Sequence, residues 1–159
     1  MLFRSPGGYD ASKFGWIGMI TRTGAAPILY TWNTSPSKTF EDIRKRETIV
    51  GATAAGNTEY MPRVLNRMAG ARFKIVAGYP GTTEIQMAVE RGEVEGGSTI
   101  ISELKERKPE WLRDRTINPI VVIAAQRLAD LPDVPTVVEV GTTPENREVD
   151  RKSTRLNSS

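Results

Sequence analysis

Residues 48–92 read TIVGATAAGNTEYMPRVLNRMAGARFKIVAGYPGTTEIQMAVERG, and this stretch decides the fold because it holds the same unit twice. Thr48-Ile49-Val50-Gly51 is a β-branched run of strand type that breaks into the small-residue loop Ala52-Thr53-Ala54-Ala55-Gly56-Asn57-Thr58. Tyr60, Met61, Val64, Leu65 and Met68 then recur on one helical stripe, with Pro62 tolerated in the first turn and Gly70 stopping the helix. The unit repeats. Residues 73–77 form a second strand run, Gly78-Tyr79-Pro80-Gly81 a turn, and residues 82–91 a helix with Ile85, Ala88 and Val89 on its inner face. Glu84 falls in the first turn, where the helix dipole favours an acid, and Gly92 closes the end. Strand, glycine loop and helix in alternation predict an α/β fold, a mostly parallel sheet with helices on its faces.

Working outward, FGWIGMI (14–20) and PILYTW (27–32) read as two strands separated by a Thr-Gly-Ala turn. Ser35-Pro36-Ser37-Lys38 is a loop, and Thr39-Phe40-Glu41-Asp42 has the spacing of a capping box, which predicts a short helix over 40–46. Downstream, Glu95-Gly96-Gly97 leads to a helix over 102–107, a turn beginning at Pro109 and a strand over 117–124. Pro119 removes a ladder donor inside that strand, so the strand is expected at an edge or bent. The proline-braced loop 131–135 then leads into a further element over 136–140.

The chain has 159 residues, 38% of them apolar and 26% charged, an ordinary globular balance. It contains no Cys and no His, which excludes disulfides, thiolate chemistry, Ser-His triads and the usual zinc sites. No apolar run approaches the roughly 18 residues of a membrane span, and MLFRSPGGYD does not have the make-up of an export signal. The formal charge is +3, of which Asp150, Arg151, Lys152 and Arg155 carry a net +2. Elsewhere bases alternate with acids, as in EDIRKRE and SELKERKPE, the pattern of solvated helix faces; no basic stripe suited to nucleic acid is present. The last ten residues, DRKSTRLNSS, are polar and non-periodic and resemble a translated sequencing adapter. The natural protein is therefore expected to continue past Val149, and Met1 reads equally well as an internal methionine.

The candidate functional residues lie in two strand-to-helix loops, since open α/β sheets bind ligands at the carboxyl ends of their strands. Gly56 and Gly81 let backbone N–H groups turn outward toward the positive end of the following helix, an arrangement suited to a carboxylate or phosphate. Thr53, Asn57, Thr58, Tyr79 and Thr82 complete the candidate ligand-binding set with Gly56 and Gly81. The competing structural reading is that Thr58 and Thr82 are N-caps and the glycines turn residues. Neither loop carries a nucleotide fingerprint. Glu41/Asp42 and Glu93/Glu95 read as charge capping or solvation, and Trp16, Trp32 and Trp111 as core or hinge packing, with Trp32 the one that could approach a cleft. No catalytic residue, metal ligand or cofactor is assigned.

FKIVAGYPGTTEIQMAVERGEVEG, together with FGWIG, the KTFEDIRKRE–strand–GATAAGNT block, PEWLRDRTIN and DLPDVPTVVEVGTTPENREV, resembles the tripartite tricarboxylate transporter (Bug/TctC-type) receptors in composition and order over 9–149. The resemblance implies a fold like that of type II periplasmic binding proteins, two lobes closing on a ligand. It implies residues 1–23 at the end of the first lobe and hinge, 24–116 as the second lobe, 117–149 as an incomplete return, and 150–159 as tail. Its functional implication is a non-enzymatic periplasmic receptor that captures a small organic acid and hands it to membrane permease subunits. Gly97-Ser98-Thr99-Ile100-Ile101 departs from the aromatic and serine-rich stretch usual there, which leaves ligand identity open. Two other classes remain open: a fragment of an α/β enzyme acting on a carboxylated or phosphorylated substrate, and the effector domain of a transcription regulator. A lobe without its partner is expected to bind weakly.

Overall fold

The computed structural model describes residues 26–54 and 56–141. The strand expected at 14–20, Trp16, Ala55 and the last ten residues lie outside them. The elements are β1 (Pro27–Trp32), α1 (Phe40–Lys45), β2 (Thr48–Thr53), α2 (Asn57–Met68), β3 (Phe73–Tyr79) and α3 (Thr82–Glu90), then β4 (Gly96–Ile100), α4 (Ile101–Arg107), α5 (Pro109–Arg113), β5 (Ile117–Val122) and α6 (Val137–Gly141). Together the strands make one sheet in the order β3-β2-β4-β1-β5. β2 runs parallel to β3 and β4, and β1 runs antiparallel to both β4 and β5, so every strand but β1 points the same way. The α/β class and the mostly parallel sheet are as the periodicity predicts.

Alternation along β1 sorts the core into two layers. Ile28 and Tyr30 face Ile85, Ala88 and Val89 of α3, Ile101 and Leu104 of α4 and Trp111 of α5. Leu29 faces the other way, toward Phe40 and Ile43 of α1, Leu65 of α2 and Val140 of α6. Trp32 stacks edge-on against Trp111 at 5.2 Å between ring centres, at the sheet edge opposite the two strand-to-helix junctions; it packs the core and does not approach them.

Local signals work where they are complete within a few residues. Thr39 and Asp42 form the capping box, with Asp42 N–H donating to Thr39 Oγ1 at 3.3 Å and Thr39 N–H donating to Asp42 Oδ2 at 2.9 Å. Gly70 and Gly92 take φ of +67° and +74° just past the ends of α2 and α3, where a side chain would be strained. Pro119 lies in the edge strand β5, and the β1–β5 register shifts there, so that Tyr30 pairs with Pro119 and Leu29 with Val121. Both halves of the proline expectation hold.

Several boundaries and one whole element differ from expectation. Tyr60 and Met68, assigned to the buried stripe of α2, are 62% and 56% exposed. α2 rests near the edge strand β3, so only Pro62 and Leu65 are buried, with Met61 packed beside them. Pro109 opens the short helix α5 from its first turn and does not start a turn. α4 begins one residue early and β5 ends at Val122. Glu139 N–H donates to Thr136 Oγ1 at 3.3 Å and Thr136 N–H to Glu139 Oε2 at 2.8 Å, a second capping box that defines the element expected over 136–140.

The missed element is β4. Two adjacent glycines are poor strand formers by propensity, yet Gly96-Gly97 begins the strand that joins the parallel half of the sheet to β1. A Cβ on Gly96 would stand 2.0 Å from the Tyr30 carbonyl oxygen and 2.9 Å from Thr31 Cα, and one on Gly97 2.7 Å from Ile85 Cγ2. The glycines are there because backbone and helix come too close for any side chain. Tyr30 pairs with Gly97 across the ladder and covers the space that it leaves.

Just before β4, Glu95 ties three segments together. It accepts from Arg46 Nη1 at 2.7 Å, from the Ser35 hydroxyl at 2.7 Å and from the Ile49 N–H at 3.3 Å. Glu95 and Arg46 are therefore a partly buried tie between segments and not merely solvated charges or caps, a correction that sequence spacing hides because they lie far apart in the chain. Burial of the Glu95 carboxyl opposes ionisation, but the bonds from Arg46, Ser35 and Ile49 outweigh it and hold the group below the ordinary carboxylate range.

Gly96→Ala should destabilise the chain by about 3 kcal/mol, since the obstructing atoms are backbone, whereas Gly97→Ala, meeting a side chain that can turn, should cost about 1 kcal/mol; urea denaturation measures both. A carboxyl with a depressed folded-state pKa contributes stability above its unfolded value and loses it as pH falls through the folded one. Unfolding midpoints should therefore drop as pH falls below the ordinary carboxylate value of about 4.5, and Glu95→Gln should flatten that part of the profile.

Candidate functional site

Because β2 and β3 are parallel neighbours, with Thr53 paired to Tyr79, their carboxyl ends lie side by side. The chain leaves β2 through Ala54 to Gly56 and enters α2 at Asn57; it leaves β3 through Pro80 and Gly81 and enters α3 at Thr82. The two predicted loops are thus brought together at one sheet edge. They are shorter than expected, since Thr53 ends a strand, Tyr79 ends another, and Asn57, Thr58 and Thr82 are already helical.

The N-caps are Gly56 and Gly81, and neither can supply a side-chain bond. Thr58 and Thr82 are not caps, so the competing structural reading fails for both. In α2 the first backbone bonds come from Glu59 and Tyr60 to the Gly56 carbonyl, and in α3 from Ile85 to the Gly81 carbonyl. The N–H groups of Asn57 and Thr58, and those of Thr82, Thr83 and Glu84, precede these bonds and are the donors that a helix start leaves over. Both positive dipole ends therefore open at the same edge, a combination that attracts anions.

Thr53 and Thr58 brace the first junction. The Thr53 N–H donates to Thr58 Oγ1 at 2.9 Å, and the two hydroxyls are 2.8 Å apart. One hydroxyl hydrogen is used between them, which leaves the other to donate outward. A Cβ on Gly56 would stand 2.5 Å from Thr53 Oγ1, so the loop closes this tightly only with glycine at that position. Over the first turn of α2 lies an open depression of about 600 Å³ lined by Gly56, Asn57, Glu59, Tyr60 and Arg63. Arg63 donates to Glu59 Oε1 through Nε at 3.0 Å and Nη2 at 2.6 Å. At the second junction Tyr79 is half-buried, its ring 3.3 Å from where a Cβ on Gly51 would be.

Among the described residues no group of acidic side chains is arranged to hold a metal ion, and no helix is long and apolar enough to cross a membrane. Glu84, Glu59 and Arg63 are the charged groups at this edge that the sequence reading left out of the site. Only the position of Glu84 in a first turn signalled it.

No protein-family model and no curated protein matches the chain by sequence. Solved structures match by fold. A TctC solute-binding protein from Polaromonas, without ligand, superposes with a TM-score of 0.59 at 14% identity over 72% of this chain and 40% of that one. A Rhodopseudomonas palustris protein with adipate gives a TM-score of 0.59 at 22% identity over 74% of this chain and 40% of that one. MatC from the same organism, with bound malate, gives 0.57 at 22% identity over the same shares. The chain thus has the fold of part of a periplasmic solute-binding protein and spans about 40% of the length of these structures.

Thr58→Val removes the acceptor of the Thr53 amide and one hydroxyl of the pair, and should cost about 1–2 kcal/mol in urea unfolding. Amide exchange at Thr53 should quicken with it; unchanged exchange there would show that the brace is not made.

Proposed function

We propose that the chain is the greater part of one lobe of a periplasmic receptor of the TctC/Bug type, and that it binds a small organic acid without transforming it. The observation that carries this reading is the pairing of two helix starts, neither capped by a side chain, at the carboxyl edge of a sheet whose fold is that of solute-binding proteins. Structural neighbours with adipate and malate support a carboxylate as the ligand class. In this reading Thr53, Gly56, Asn57, Thr58, Tyr79, Gly81 and Thr82 form the second lobe's half of the site. That lobe takes in residues 24–116 and, past the expected boundary, β5, which pairs with β1 in the same sheet; 1–23 lead from the first lobe, the chain returns to it after β5, and permease subunits receive the ligand from the complete protein.

Recognition of this kind requires donors and a dipole, and the two junctions supply both. Catalysis would require a positioned base or nucleophile, and among the described residues the junctions offer hydroxyls, Tyr79, Glu84 and Glu59, to which Arg63 already donates. The receptor reading is therefore favoured over an α/β enzyme, and no observation favours a regulator.

Titration of the ¹⁵N-labelled 159-residue chain with malate and, separately, adipate should shift the amide resonances of Asn57, Thr58, Thr82 and Thr83, saturating with a Kd in the millimolar range, about −4 kcal/mol. Shifts spread evenly over the surface, or none at all with either acid, would remove the carboxylate site.

A further inference from the structure

The two edges of the sheet are finished differently. On one side β5 carries Pro119 and is met at Val122 by Thr136, with the Val122 N–H donating to the Pro135 carbonyl at 2.9 Å. On the other side lies β3. The Arg72 carbonyl, just before it, accepts from the Thr48 N–H at 2.9 Å and so faces inward to β2, which turns the next residue outward. Phe73 does bond outward, to the Asn66 side chain, which accepts from its N–H and donates to its carbonyl, both at 2.8 Å. Asn66 thus closes the first outward position as a neighbouring strand would. The same alternation turns Ile75 and Ala77 outward, and among the described residues nothing meets their outer N–H and C=O groups.

Beside this edge runs one flank of α2. Arg63, Asn66 and Arg67 lie within about one turn of each other on it and, with Phe73 and Ile75, line an open groove of about 470 Å³. The nearby acids already have partners: Glu59 is bonded by Arg63, and Glu47 pairs with Lys74 at 3.6 Å. Arg67 and Arg72 have no acid partner among the described residues, Arg72 reaching only the Lys45 carbonyl at 3.5 Å. A strand laid along Ile75 and Ala77 would therefore send every second side chain into a groove of uncompensated positive charge. A second copy of β3 brings no acid of its own, and its α2 would turn Arg63 and Arg67 toward their counterparts.

We propose that the outer edge of β3 and the adjoining flank of α2 form a docking groove for an extended, acidic segment of a partner protein, which adds to the five-stranded sheet as a further strand. Main-chain bonds to Ile75 and Ala77 hold the segment, and Arg67, with Arg63 one turn before it, selects acids on the side facing α2. Asn66 sets where the pairing stops. The groove stands or falls independently of the organic-acid site proposed above.

The test uses two acetylated, amidated pentapeptides, Glu-Val-Glu-Val-Glu and Lys-Val-Lys-Val-Lys, titrated at constant ionic strength into the ¹⁵N-labelled chain. The acidic peptide should shift the Ile75 and Ala77 amides, slow their exchange with solvent, and bind about tenfold tighter than the basic one. Ala77→Pro removes an outward donor and leaves the bonds to β2 in place, and should weaken the acidic peptide about tenfold, read at Ile75. Arg67→Glu should bring the ratio of the two peptides to about one, whereas Arg107→Glu, exposed at the end of α4, should leave it unchanged. The proposal is overturned if the basic peptide binds the wild-type chain as tightly as the acidic one, a comparison that needs no variant. It is equally overturned if the acidic peptide shifts Asn57 and Thr82 and leaves Ile75 and Ala77 unmoved, if Ala77→Pro, folded, keeps the wild-type affinity, or if Arg107→Glu lowers the ratio as much as Arg67→Glu. Sedimentation of the chain alone checks the other occupant: a dimer that Ala77→Pro dissolves would give this edge to a second copy and sink the acidic partner.

Discussion

The close approach of Gly96 and Gly97 to Tyr30 and α3 is the contact on which the rest of the architecture depends. β4 is the link between the parallel strands β2 and β3 and the antiparallel strands β1 and β5, so without it the sheet is two pieces. The strand fits because the Tyr30 carbonyl, Thr31 and Ile85 occupy the volume that side chains at 96 and 97 would take. Glu95 fixes the start of the strand from the same side: its N–H donates to the Ile49 carbonyl at 2.8 Å, its carbonyl accepts from Trp32 N–H at 2.7 Å, and its carboxylate is held by Arg46. An edge made of separate strand ends is only as well defined as this joint.

From that joint the site follows with little further specification. Parallel pairing of β2 and β3 places Thr53 beside Tyr79, and because each strand runs directly into the helix that follows it, the starts of α2 and α3 lie at the same edge. Glycine at both N-caps removes the side chain that would otherwise satisfy the first turn, and the Thr53–Thr58 brace keeps the first junction short. The same donors that make a helix end costly to bury make it useful to a ligand.

Charge in this chain acts through partners that are distant in sequence. Arg44 donates to the Ala69 carbonyl at the end of α2 and to the Val140 carbonyl in α6, while also pairing with Glu41. Arg46 serves Glu95, and Lys108 pairs with Glu90 while lying 4.9 Å above the Trp111 ring. Runs such as EDIRKRE look in sequence like a solvated surface, yet two of their cations tie elements together. The net charge of the chain says little about the fold, and the individual placements say a good deal.

Periodicity, capping patterns and turn glycines were enough to predict the α/β class, the two strand–loop–helix units, the helix at Phe40, the edge position of Pro119 and the two strand-to-helix loops. Each of these depends on residues within one turn or one strand of each other, and local chemistry determines them. Tertiary structure alone decided that Gly96-Gly97 is a strand, that α2 buries only Pro62 and Leu65 among its residues, and that Glu95 is a tie between segments. The reason is the same in each case: glycine, tyrosine, methionine and glutamate at these positions answer to a neighbour brought close by the fold, and a single sequence does not record which neighbour that is.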